Sequence, residues 1–346
     1  MSQTGFNPKY RRPQRGEFST SQCVEGLLSG DRNALSYAIT LAESQNATAS
    51  QKAYEILKSL AQSGTQGYSK RITITGAPGA GKSTFIEHFG KYLLAKGHTL
   101  AVLAVDPSSQ ISYGSIMGDK TRMESLSTNQ RAFIRPSSAG NMLGGVTLGT
   151  KESIFLCEKA GYEWIFVETV GVGQSESTSS AITDMTILLV QPGAGDDIQG
   201  IKRGILEMTD IIVVNKADGP QKDLADNTCR SYQSVLQLFQ NRIEGYMPVV
   251  LTASAIENRG FDEIYNQIIH FFQHLEQKQL LGENRKEQEI RWFDFMIRER
   301  VLDWLVADST ISQQLKGLKN EIAEGHVLGF VALELAMKTI KNQVGK

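Results

Sequence analysis

Cysteine is scarce. Cys23, Cys157 and Cys229 are the only three in 346 residues, and they stand far apart. That spacing excludes a disulfide framework and a close-set cysteine metal site, and it suits a reducing cytosol. Charge of one sign is lacking as well. Lys plus Arg number 36 and Asp plus Glu 37, a net charge of −1, so no basic excess points to nucleic acid or to an anionic membrane. No apolar run approaches the roughly 20 residues of a membrane span. The first 16 residues hold no acid and carry Lys9, Arg11, Arg12 and Arg15, yet no apolar stretch follows as in a secretory signal. Pro8, Pro13 and Gly16 spoil the amphipathic helix of a transit peptide, and residues 1–16 read as a disordered tail. The expectation is a cytoplasmic protein. At 40% apolar and 21% charged residues the chain can bury a sizeable core. Its length fits one large domain with appendages, or two domains, at roughly 100–200 residues each.

Hydrophobic spacing divides the chain. Residues 17–69 read as an N-terminal helical region. Val24, Leu27 and Leu28 open one stripe, Leu35, Ala38, Ile39 and Ala42 a second after the break at Gly30-Asp31, and Ala53, Ile56, Leu57 and Leu60 a third. Residues 63–69 are a short polar linker. From residue 71 the pattern changes to short apolar runs: RITIT (71–75), LAVLAV (100–105), AFIR (132–135), WIFVE (164–168), MTILLV (185–190), IIVVN (211–215) and MPVVLT (247–252). Several are continuous rather than alternating, as in parallel strands covered on both faces. Strands alternating with helices predict an α/β domain over 70–275, a mostly parallel doubly wound sheet. Residues 276–346 read as helical again, with stripes at Ile290, Phe293, Ile297, Val301 and Leu305 and at Leu328, Val331, Ala332, Leu335 and Ala336. These stripes suit packing on the domain or an oligomer contact equally well.

GAPGAGKS at 76–83 matches G-x-x-x-x-G-K-[ST], between a strand and a helix, the context that distinguishes a P-loop from a glycine-rich turn. Gly76, Ala77, Pro78, Gly79, Ala80, Gly81, Lys82, Ser83 and Thr84 are the candidate phosphate-binding residues. Gly76, Gly79 and Gly81 let backbone N–H groups converge on phosphate oxygens without Cβ interference, and the helix N-terminus adds positive partial charge. Lys82 would bridge the β- and γ-phosphates, and Ser83 would offer its hydroxyl to Mg²⁺. NKAD at 215–218 ends a strand about 130 residues further on. Asp218 can accept from guanine N1–H and the exocyclic amine, neither of which adenine presents, so it selects GTP over ATP. Asn215 buttresses the loop and the Lys216 stem can cover the base. Ser254, Ala255 and Ile256, after MPVVLT, fit the companion loop whose backbone amides meet the base oxygen.

Metal and switch candidates follow from strand ends. Glu168 and Gly171 of ETVG occupy the slots where most P-loop GTPases have Asp and Gly; Glu168 would reach Mg²⁺ directly or through water, and Gly171 would donate to the γ-phosphate. Asp106 and Asp119, after the second strand of the domain, are further candidates for the metal or its waters. Arg122 suits pairing with phosphate or with an acid. GAGDDIQGIKRGI at 193–205 has the glycines and polar groups of a switch element, with Gln199, Lys202 and Arg203 as candidates. His270 and His274 share a helix face, but Phe271 stands where a zinc-binding H-E-x-x-H motif has its first residue after the histidine, and two ordinary helical histidines are the simpler reading.

With these residues in place the chain resembles the MeaB/ArgK family of SIMIBI-class P-loop GTPases over nearly its whole length. The resemblance rests on VEGLLSGDRNALSYAITLAES (24–44), TGAPGAGKST (75–84), VDPSS (105–109), GSIMGDKTRM (114–123), FIRPSSAGNMLGGV (133–146), ETVGVGQSE (168–176), PGAGDDIQGIKRGI (192–205) and NKAD (215–218). It implies a GTP- and Mg²⁺-dependent chaperone of an adenosylcobalamin-dependent acyl-CoA mutase, chiefly methylmalonyl-CoA mutase, that gates cofactor loading and protects the mutase. It also implies Lys82, Asp106, Asp119 and Glu168 around Mg-GTP, Lys202 as the switch lysine, and a homodimer built partly by the C-terminal helices. Departures at Tyr113, Asn141 and Met142 bear on switch dynamics or partner choice, not on nucleotide binding. Two other functions compete: a metal-inserting GTPase, which needs Cys or His ligands near the switches, and a kinase linked to basic amino-acid transport, which needs a phosphoryl acceptor site.

Val172 follows Gly171, where Ras-like enzymes have the Gln that orients the attacking water. Valine has no such group, and Gln174 is the nearest substitute. Phosphate release from GTP by the protein alone is therefore expected to be slow, with the water positioned by another group or turnover accelerated by a partner; multiple turnovers per second without a partner would contradict this reading.

Overall fold

The computed structural model describes residues 18–44, 46–64, 69–106, 123–138, 148–169, 179–194, 203–239 and 241–344. Two compact units divide at Leu281/Gly282. In the first, β1 (Lys70–Gly76), β2 (Leu100–Asp106), β3 (Ala132–Ser138), β4 (Trp164–Thr169), β5 (Met185–Val190), β6 (Ile211–Val214) and β7 (Val249–Thr252) form one sheet. The order is β3-β2-β4-β1-β5-β6-β7, and each neighbouring pair is parallel. The fold is a P-loop α/β domain, and every residue of β4, β5 and β6 is buried, as the continuous apolar runs require. β3 runs on past AFIR through Pro136, which a propensity reading stops short of. β3 is an edge strand, and a proline there removes an N–H that no neighbouring strand needs.

Helices cover both faces. α1 (Thr20–Leu28), α2 (Arg32–Ala42) and α3 (Ala47–Gln62) precede the sheet. Each has a side-chain cap: Ser19 with Gln22 in a reciprocal capping box, Asp31 on Asn33 N, and Asn46 on Thr48 N and Ala49 N. The Gly30-Asp31 break thus starts α2. Cys23, Leu27, Leu35, Ile39, Ile56 and Leu60 of these helices are buried, and the three pack on one another and on α6 (Leu148–Lys159). Arg135 of β3 reaches Glu43 and Thr40 of α2 and ties the helices to the sheet edge.

α4 (Lys82–Ala95), the short α5 (Glu124–Thr128) and α9 (Phe261–Gln277) share one core with the sheet. Phe89 stacks on Phe166 and meets Trp164 and Phe261. α7 (Arg203–Glu207) and α8 (Lys222–Leu236) close the other face with Leu188, Val190, Ile212, Val214, Ala225 and Tyr232. Each such fully buried apolar side chain contributes about 1.5–3 kcal/mol, so the strand ends are held by a packed core on either side. Leu281 is buried with that core, which carries the first unit a few residues past 275.

The second unit holds most of α10 (Leu280–Ala307), with α11 (Ser309–Ala323) and α12 (Gly329–Val344). Asp308 caps α11 by accepting from Thr310 N and Ile311 N. α11 and α12 pack together, yet Phe293 is 65% and Phe330 70% exposed. Among the described residues no helix is long and apolar enough to cross a membrane.

An ion pair lies at the end of the sheet away from the phosphate loop. Asp210, 2% exposed on its side chain, accepts from Arg242 and from Thr186 N, while Arg242 also donates to Asp184 O. Removing one partner leaves the other unpaired against the strand ends. Asp210→Ala is expected to lower unfolding free energy by about 3 kcal/mol in a urea titration; a change below about 0.5 kcal/mol would show that the pair is dispensable.

Candidate nucleotide site

The C-terminal ends of the parallel strands meet at the β1 switch point, between β4 and β5, where open α/β sheets bind ligands. β1 ends in Gly76 and leads through 77–81 into α4. Gly81, at φ 85° and ψ 30°, caps that helix with no side chain, so no oxygen of its own covers the first-turn N–H groups and an anion can take them. Lys82 Nζ turns back on the loop, donating to Gly76 O at 2.7 Å and Ala77 O at 3.2 Å. Ser83 Oγ donates to Glu168 Oε1 at 2.9 Å. Glu168, 5% exposed at the end of β4, is therefore long enough to meet the serine of the loop. Ser83 and Glu168 are a pair of hard oxygen donors of the kind Mg²⁺ takes alongside waters and phosphate oxygens.

The glycines have a second reason beyond approach to phosphate. A Cβ on Gly76, at φ 148°, would stand 2.3 Å from Leu189 O of β5, and one on Gly81 would stand 2.7 Å from Asn215 Nδ2. The loop's backbone is pressed against its own fold as well as open to a ligand. A cavity of about 420 Å³ lies beside it, lined by Ala77, Ala80, Gln191, Gly193 and Ile205 among others.

β6 delivers NKAD to the same loop. Asn215, 1% exposed, donates from Nδ2 to Ala80 O at 3.0 Å. Lys216 takes the left-handed conformation, φ 60°, and its Nζ donates to Gly79 O at 2.8 Å. The ammonium is thus anchored on the phosphate loop while the stem runs between the two loops. Asp218 Oδ2 accepts from Ser254 Oγ at 2.7 Å. Ser254 is buried, Ala255 4% and Ile256 76% exposed. Ser254 N is committed to Arg259 O, so of the three expected amides only those of Ala255 and Ile256 are candidates for the base oxygen.

The structure therefore brings together Gly76 to Thr84, Glu168, Asn215, Lys216, Asp218 and Ser254 to Ile256. Asp106 closes β2 on the same side of the sheet, described through its backbone. Arg203 opens α7, likewise described through its backbone. Asp119, Arg122, Gly171, Val172, Gln174, Gln199 and Lys202 lie outside the described residues. Three residues went unnoticed in the sequence. Gln191, the residue after β5, has Nε2 beside Gly79. His88 of α4 has Nδ1 3.1 Å from Asn258 Oδ1. Arg259 Nη2 donates to Ala217 O. An arginine or histidine in such surroundings reads in a sequence as a solvated side chain, and no local pattern marks it.

Known proteins match this chain along most of its length. The family model described as methylmalonyl Co-A mutase-associated GTPase MeaB matches residues 35–310. A GTPase ArgK of Escherichia coli K12 is 40% identical over 88% of this chain and 92% of its own. A Mus musculus protein named methylmalonic aciduria type A homolog, mitochondrial, is 40% identical over 92% of this chain and 79% of its own. A crystal structure described as an LAO/AO transport system kinase aligns with TM-score 0.73 and 32% identity over 94% of this chain and 99% of that one.

The base-side geometry makes a prediction. Asp218→Asn is expected to weaken GTP binding by about tenfold or more, through loss of a charged acceptor, and to admit xanthosine triphosphate. Competition titrations with GTP, ATP and xanthosine triphosphate measure both, and an unchanged order of preference would remove Asp218 from the base site.

Proposed function

Membership of the MeaB family of P-loop GTPases is established for this chain by the match over residues 35–310, and from it we propose that the protein binds Mg-GTP on the 76–84 loop, hydrolyses it to GDP and phosphate, and serves as chaperone of an adenosylcobalamin-dependent acyl-CoA mutase. The observation that carries the nucleotide half is the convergence of Lys82, Ser83–Glu168 and Lys216 on one loop, with Asp218, two residues beyond Lys216, held by Ser254. The mutase half is supported by the family's description and by the mouse relative's name.

In this reading Lys82 leaves the Gly76 and Ala77 carbonyls for the β- and γ-phosphate oxygens, and backbone N–H groups of the loop share the remaining charge. Ser83 and Glu168 would hold Mg²⁺, with Asp106 and Asp119 on its waters, and the bound ion would supply positive charge to the phosphate oxygens; the bond from the γ-phosphorus to the bridging oxygen breaks to release GDP. Water supplies the new oxygen, and its proton leaves with phosphate. Asp218 reads the guanine edge while Ala255 and Ile256 offer amides to its oxygen. Gly171 donates to the γ-phosphate, and Gln199, Lys202 and Arg203 form the switch through which the mutase acts. Intrinsic turnover is slow. The exposed apolar side chains of the second unit, Phe293, Trp304 and Phe330 among them, are covered by a second copy in a homodimer. The protein works in the cytoplasm.

A kinase reading is favoured by one observation, the description of the aligned structure as a transport system kinase. Asp218 argues against ATP as its donor. A metal-inserting role has less support: Cys23 and Cys157 are buried, and burial pushes the Cys157 thiol well above its ordinary range, so it stays protonated and out of reach of a metal ion.

Phosphate release from GTP, measured with and without purified methylmalonyl-CoA mutase, tests the reading. A rate at least several-fold faster with the mutase is expected, and Lys82→Ala should abolish tight triphosphate binding in both cases. A rate indifferent to the mutase would remove the chaperone coupling; full triphosphate affinity in Lys82→Ala would remove the phosphate assignment.

A further inference from the structure

The two loops assigned to the base are bonded directly to each other. Ala217 N donates to Ala253 O at 3.0 Å, and Ala217 O accepts from Arg259 Nη2. Arg259 and Ser254 exchange both backbone bonds, Ser254 N to Arg259 O at 3.1 Å and Arg259 N to Ser254 O at 3.0 Å. Ser254 Oγ accepts from Glu257 N at 3.0 Å and donates to Asp218 Oδ2. Gly260 closes the loop at φ 86°, where a Cβ would stand 2.2 Å from Thr252 O. Arg259 also lies 3.7 Å from Glu257, which in turn is 4.0 Å from Lys222 at the start of α8.

The carbonyl that Arg259 holds belongs to the peptide whose nitrogen is that of Asp218. A peptide is planar, so fixing the Ala217 C=O fixes the plane from which the Asp218 Cα–Cβ bond departs. The side chain at that position is then set from two directions, by Arg259 through the main chain and by Ser254 through Oδ2. Three neighbouring residues are each held by a different partner: Lys216 by Gly79 O, Ala217 by Arg259 and Ala253, and Asp218 by Ser254. The exposed ion pairs to Glu257 and Lys222 contribute little; the charge-assisted bond to a carbonyl contributes more.

We propose that Arg259 is a positioning residue for purine selectivity: it orients the peptide before Asp218 so that the carboxylate faces the guanine N1–H and amine. The proposal rests on the assignment of Asp218 to the base. Its chemistry separates it from a general brace by sign. Guanine presents an amine where xanthine presents a carbonyl, so a well-aimed carboxylate favours guanosine diphosphate and repels xanthosine diphosphate. Mis-aiming it weakens the first and relieves the second, whereas a merely loosened loop weakens both.

The test uses the full chain with Mg²⁺, and dissociation constants for guanosine and xanthosine diphosphates in the unsubstituted protein, Arg259→Ala and Arg259→Lys. The expected result for Arg259→Ala is a fall of about tenfold or more in the preference for guanosine over xanthosine diphosphate, with xanthosine diphosphate no weaker than before. Arg259→Lys, with one donor still able to reach the carbonyl, recovers part of the preference. Equal weakening of both ligands, or no change in their ratio, overturns the proposal. Absence of any guanine preference in the unsubstituted protein refutes the Asp218 assignment and the proposal with it, a result visible before any variant is made.

Discussion

The constraint on which the site depends is steric. The first glycine of the phosphate loop lies so near β5 that a single added carbon would meet Leu189 O at 2.3 Å. Its φ of 148° belongs to a region that L side chains rarely occupy. That approach lets the loop turn immediately above the sheet. It also places the carbonyls of Gly79 and Ala80 within reach of Lys216 and Asn215 from the end of β6. Once β5 pairs with β1 and β6 with β5 in register, the ends of β1 and β6 stand one strand apart, and the segments that follow them are bonded directly to one another. Domain packing behind them, from Phe85 and Phe89 on one face to Tyr232 on the other, has little to do beyond keeping those ends in line.

The two halves meet a ligand differently. On the side assigned to the base, polar groups are bonded to protein partners that a purine would not have to displace: Ser254 on Asp218, Arg259 on Ala217, Asn215 on Ala80. One oxygen of Asp218 is fixed while the carboxylate retains capacity for further donors, so little ordering remains to be done on binding. In the proposed reading the bonds on the phosphate side are exchanged. Lys82 would give up two carbonyls for phosphate oxygens carrying more charge, and Ser83 and Glu168 would turn from each other to the metal ion. Such an exchange would leave the buried Glu168 carboxylate satisfied in either state, which a buried charge requires.

The continuous apolar runs, each a few residues long and separated by helical stretches, sufficed to identify the parallel α/β sheet, because a strand covered on both faces has no reason to alternate. Boundaries were less legible where a neighbour's absence decides them. AFIR reads as a complete strand, but Pro136 continues it at an edge where its missing N–H costs nothing. GAPGAGKS and NKAD announced the site because each needs residues of fixed type at fixed spacing. Arg259 was illegible for the opposite reason. Its partner is a main-chain carbonyl 42 residues away, any residue can supply a carbonyl, and nothing in the local sequence distinguishes this arginine from one facing water. Lys216 shows the same limit in milder form: the motif predicts a stem across the base, whereas the anchoring of its ammonium on Gly79 O depends on how closely two strand ends approach.

The packing of the core accounts for a glutamate, not an aspartate, at the end of β4 in this chain. Aspartate there would fall one methylene short of a serine that Glu168 reaches at 2.9 Å, unless β4 or α4 moved toward the other. Both are held by the same aromatic cluster, Phe89 against Phe166 and Trp164, and close-packed interiors resist such shifts. The longer carboxylate thus follows from the spacing of β4 and α4 that the core fixes. The spacing of Ser83 and Glu168 is set by rings buried in the core behind them.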